Sequence, residues 1–126
     1  MTDVAGKFMR AAVLWALAAM LLGLFMAASH DHVQKVAHAH AVLIGWVSMA
    51  IYAVFYRAWP RAAESRLARW HFLVANVSLL VLIPALIALY AGIAEAVFDP
   101  IAAVSSIAIL IGMAIFATIV WRATAA

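Results

Sequence analysis

The residues with chemistry to offer are histidines. Four of the five fall within positions 30–40, as His30-Asp31-His32 and then His38-Ala39-His40, while His71 stands alone after Arg69-Trp70. Imidazole is the commonest metal ligand and titrates near neutrality. The chain has no cysteine, which excludes disulfides, thiolate metal sites, iron–sulfur clusters and covalent c-type heme attachment. Two chemistries are left for the cluster. One is axial ligation of a b-type heme. The other is a copper or zinc ion held by His30, His32, His38 and His40. Rings two residues apart on a helix diverge by about 160°, so an ion requires the H-x-H pairs to lie in a loop.

The elements that must position these rings are membrane spans. Of 126 residues, 71% are hydrophobic and 10% charged, against about 45–50% and about 25% in soluble domains. Four apolar runs, 8–28, 37–59, 67–91 and 100–121, each reach the length of a spanning helix, about 20 residues. The gaps are short, so residues 1–126 are expected to form one all-α, four-transmembrane-helix bundle. The first run has a basic start at Lys7 and Arg10 and small residues at Ala27-Ala28-Ser29, as a signal peptide would. Its apolar core is long for one, and it is expected to stay as a span.

Seven of the eight basic residues (Lys7, Arg10, Arg57, Arg61, Arg66, Arg69 and Arg122) fall at one end of the spans, and Lys35 at the other. The positive-inside rule makes the basic end, with both termini, cytoplasmic. The implied location is a bacterial inner membrane. Trp59, Trp70 and Trp121 sit at that same end, as an interfacial belt would. The net charge of +3 is therefore a topology signal rather than a nucleic-acid footprint. No charged residue falls in mid-span, which argues against a proton-driven transporter, and no inverted repeat stands out.

Helix phase sorts the histidines. At about 100° per residue, Ala12, Ala16, Ala19, Gly23 and Ala27 share a face of the first span that continues through Met26 to His30, with His32 pointing away. On the second span His38 aligns with Val42, Gly45, Met49, Tyr52 and Tyr56. His40 aligns with Val47, Ile51, Val54 and Ala58, an aliphatic row suited to lipid. His30 and His38 are thus the inward pair, with Gly23 and Gly45 giving clearance for a flat ring, Met49 below and Met26 as a further candidate ligand. Such stripes of small residues also serve ordinary helix packing. Asp31 suits either a hydrogen bond to a ligand ring or a turn cap. His71 lies across a core of about 30 Å from the other four. It reads as an interfacial side chain or, more sharply, as the ligand of a second cofactor. Asn76, Ser78, Ser105 and Ser106 read as interhelical hydrogen-bonding groups, and Pro84 as a kink.

The segment His38-Ala39-His40-Ala41-Val42-Leu43-Ile44-Gly45-Trp46, running on to Tyr56-Arg57, resembles the second span of heme–copper oxidase catalytic subunits. It is most similar to the cbb-type cytochrome c oxidases and nitric oxide reductases, and its H-A-H opening resembles the NnrS family of membrane heme proteins. Leu67-Ala68-Arg69-Trp70-His71-Phe72 resembles the start of the next span in small oxidase-like proteins. The resemblance implies that His38, or His40 in an alternative register, is an axial ligand of a low-spin heme. Oxidase subunits have about twelve spans and further histidines, so one heme position carries over and the oxygen-reducing centre does not.

The expectation is a membrane-embedded heme b protein, not a complete oxidase. Its site lies near the outer face, with His38 and either His30 or a symmetry-related histidine as ligands. It would transfer electrons from a quinol or periplasmic donor, or bind nitric oxide or dioxygen, within the lipid bilayer and as a homo-oligomer, with no nucleic-acid partner. The rival expectations are the copper or zinc module and a structural subunit of a respiratory complex.

Overall fold

A computed structural model describes residues 3–125, which are helical apart from their connections. Four helices are long and apolar enough to cross a membrane: α1 (Val4–Ser29), α2 (Lys35–Ala58), α3 (Arg66–Tyr90) and α4 (Glu95–Thr124). A single helical turn, Pro60–Ala63, joins α2 to α3. Each boundary has a local cause. Asp3 caps α1 by accepting a hydrogen bond from the Ala5 amide at 3.1 Å. That helix ends where His30 turns into the left-handed region at φ 56°. Ser65 caps α3 by accepting from the Ala68 amide at 3.1 Å. Gly92 (φ 73°) and Ala94 (φ 43°) make the tight turn into α4. α4 begins a full turn before Pro100, where the apolar run starts, because Glu95 can occupy a helix N-terminus favourably.

α2 is not uniformly α-helical. Residues Ala41–Ser48 wind as a π-helix, and the Ser48 hydroxyl also donates to the Leu43 carbonyl five residues back at 2.8 Å. The wider turn changes which residues face inward. Ala37, Ala41, Gly45 and Met49 are all buried, at a spacing of four. Over those twelve residues a straight α-helix would rotate about 120° out of line. The π segment absorbs that drift.

α3 packs along α4, and α1 along α2, with α3 also touching the first pair. The main core gathers Phe8 and Ala12 of α1, Met49, Tyr52 and Tyr56 of α2, Ala68 and Leu79 of α3, and Ile119 of α4. A smaller cluster of Leu82, Ala85 and Ala102 joins α3 to α4. α1 and α4 bury 17% of their most apolar stretches, against 39% for α2 and α3. They therefore turn Leu14, Leu21, Leu24, Val104 and Leu110 outward.

The expected interhelical hydrogen bonds do not form. Asn76 donates to Phe72, Ser105 to Ile101 and Ser106 to Ala102, each a carbonyl one turn back in its own helix. Ser78 does the same with Val74. Short polar side chains find this partner without a neighbour. Pro84 lies inside α3, which continues to Tyr90.

Candidate functional site

The two rows of α2 fall as the phase argument expects at its inner half. Met49, Tyr52 and Tyr56 are buried, and Val47, Ile51, Val54 and Ala58 are exposed. At the outer half the π segment rotates the helix, so Ala37 takes the most buried position and His38 lies on the flank, half-buried against α1. There its Nδ1 lies 2.9 Å from the Ala19 carbonyl. A carbonyl only accepts, so Nδ1 carries a proton, and of the two neutral tautomers this bond selects the one that has its lone pair on Nε2. Nε2 has no hydrogen bond and is not among the sealed unpartnered atoms, which are Gln34 Oε1 and His71 Nε2 among the described residues. His40 repeats the pattern within its own helix, with Nδ1 donating to the Val36 carbonyl at 2.8 Å.

The clearance expected at the two glycines is real, but protein fills it. A Cβ at Gly23 would lie 3.1 Å from His38 Cε1, and one at Gly45 would lie 2.7 Å from Cβ and Cγ of Trp15. The flat rings these glycines admit are the imidazole and the indole. Met49 lines an interior void of about 10 Å³ with Tyr52 and Gly112, far below the size of a porphyrin. A heme wedged between α1 and α2 does not fit.

The other outer histidines are not brought together with His38 by the helix phase. The face of α1 runs through buried Met26 and then stops, because the helix ends at Ser29; His30, in the left-handed conformation, is exposed. His32 is exposed as well. Asp31 is a turn residue, its carboxylate accepting from the Val33 amide at 3.0 Å. Among the described residues no group of three or more His, Asp or Glu side chains could hold a metal ion. The four-histidine copper or zinc site is not formed.

His71 departs from the interfacial reading. It is fully buried, in a box of aromatic rings from the other three helices. Tyr52 meets it edge-on with centroids 4.5 Å apart, Phe8 lies at 4.9 Å, and Phe116 stacks at 5.1 Å. Its Nδ1 shares a 2.8 Å hydrogen bond with the Tyr56 hydroxyl, and its Nε2 has no partner. The rings surround the imidazole so closely that a second cofactor on His71 has no room. This cluster had a sequence signal. Phe8, Tyr52, Tyr56, His71 and Phe116 lie at similar distances from the basic ends of their spans. Gln34, missed as a loop residue, is buried and donates to the Ile87 carbonyl at 3.0 Å, tying the outer turn to the end of α3.

In comparisons with known proteins, the chain matches no family model, no curated protein and no solved structure.

Proposed function

We propose that the protein is a membrane-embedded b-type heme protein that carries electrons or binds a diatomic gas, with His38 as an axial ligand. The observation that supports this reading best is the His38 hydrogen bond to the Ala19 carbonyl. It fixes the ring on a neighbouring helix with Nδ1 protonated, the arrangement that orients a ligand imidazole and raises the basicity of Nε2. Heme, when bound, supplies a one-electron couple or, with an axial position open, a site for nitric oxide or dioxygen.

The chain's own residues do the rest. Ala19 and Gly23 hold the His38 ring, and Trp15 against Gly45 keeps α1 and α2 in fixed register beneath it. The aliphatic surface of α1 around Met20 and Leu24 excludes water from that flank. Because the space between α1 and α2 is filled, His38 would hold the heme from the outer side of this pair. A second copy of the chain then supplies the other histidine and closes the site. On this reading the donor is a quinol or a periplasmic protein, and the basic end faces the cytoplasm across a bacterial inner membrane.

The test is optical. Protein purified from membranes should show a Soret band, with sharp α and β bands on reduction. H38A should lose the heme, while H40A, whose ring is anchored only within its own helix, should retain most of it. A colourless wild type, or heme that survives H38A and is lost in H40A, overturns the assignment.

A further inference from the structure

The end of the bundle away from the histidine cluster carries a recess of about 670 Å³, between the end of α2, the Pro60–Ala63 turn and the last turns of α4. Its floor is apolar, with Leu67 half-buried and Ile119 buried. Its rim carries Trp59 and two guanidiniums, Arg61 and Arg122, with no carboxylate in the lining. Neither arginine has a carboxylate within 4.0 Å among the described residues; the ion pair at this end joins Arg57 to Asp3 at 3.5 Å. A neighbouring recess differs in kind, because there Lys7, Arg57 and Arg69 share the walls with Asp3 and Glu64. A third recess at this end holds Arg10 and Arg57 without a carboxylate in its lining, but there Arg57 is engaged by Asp3, whereas Arg61 and Arg122 stand together with no such partner among the described residues.

Two guanidiniums with no carboxylate partner among the described residues, over an apolar floor at the end of a helix apolar enough to span a membrane, match an amphiphile with an anionic head. Guanidinium binds phosphate oxygens through paired donors, and basic pockets between spanning helices favour anionic lipid headgroups. Trp59, stacked on Phe55 at 4.8 Å and part-exposed, is the amphipathic ring expected at headgroup depth. We infer that this recess is a binding site for an anionic phospholipid, with the phosphodiester on Arg61 and Arg122 and the acyl chains on the apolar floor.

Native mass spectrometry of the full chain, released from mixed micelles of phosphatidylglycerol and phosphatidylcholine, tests this. The wild type should retain one phosphatidylglycerol per chain in preference to phosphatidylcholine. R61Q/R122Q should weaken that retention about 30-fold, from two lost charges. R61K/R122K should keep most of it, and R66Q, outside the recess, should leave it unchanged. If the double glutamine variant fails to fold, as judged by helical circular dichroism, R61Q and R122Q singly should each cost about fivefold. Equal retention of both lipids, unchanged binding in the glutamine variants, or an equal loss in R66Q overturns the proposal.

Discussion

Tyr56 and His71 share one hydrogen bond in an otherwise aromatic box, and the far nitrogen of the imidazole has none. Removing one partner of a buried hydrogen bond strands the other, at a cost of about 1–3 kcal/mol, while replacing both with apolar groups is close to neutral. Y56F should therefore destabilise the protein by about that amount in denaturant unfolding in detergent. In an H71L background the same change should cost little. Additive effects of the two substitutions would show that the pair is not coupled. At this scale the sequence singled out the histidines but not the environments in which they lie. His71 is sealed because rings from three distant segments converge on it, a tertiary fact that no local spacing carries. His30 is exposed because one residue enters the left-handed region, and helix phase has no meaning beyond that point.

At the scale of the helix, the four long apolar helices were legible from composition and run length, and the buried stripes of α1 and inner α2 from periodicity. The winding of Ala41–Ser48 was not, since nothing in AVLIGWVS distinguishes a π-helix from an α-helix by propensity. The consequence was large, because it moved His38 from the centre of the inner face to its flank. A π segment is equivalent to an α-helix holding one extra residue. Deleting Val47, an exposed residue inside it, should let α2 wind as an ordinary helix with both halves still in phase. Ala37 would then stand about 20° from Met49. Deleting Ile51, exposed but outside the segment, should throw the outer half out of register. Thermal unfolding should thus show a near-native midpoint for the first deletion and a collapsed one for the second. Equal damage from both would refute the phase account.

For the molecule as a whole, the alternation of four helices brings both termini and seven basic residues to one end, and the Arg57–Asp3 pair joins α1 to α2 there. The chain lacks cysteine, so orientation can be read with single introduced thiols. In intact spheroplasts a membrane-impermeant maleimide should label D31C directly and T124C only after permeabilisation. The opposite pattern would invert the topology and move the histidine cluster to the cytoplasm. Charge placement alone carries the expected orientation, whereas the tightness of the interior had no sequence signal, since side-chain interlocking at Gly23 and Gly45 depends on how the helices meet. The uneven burial of the helices has a further consequence. α1 and α4 bury only 17% of their most apolar stretches, so in a membrane acyl chains would make up most of their surroundings. α4, at 30 residues, is about 45 Å long against a hydrocarbon core of about 30 Å. In a bilayer, thickness would therefore act first on the tilt of α1 and α4, while α2 and α3, with more of their surface packed against protein, would keep more of their geometry.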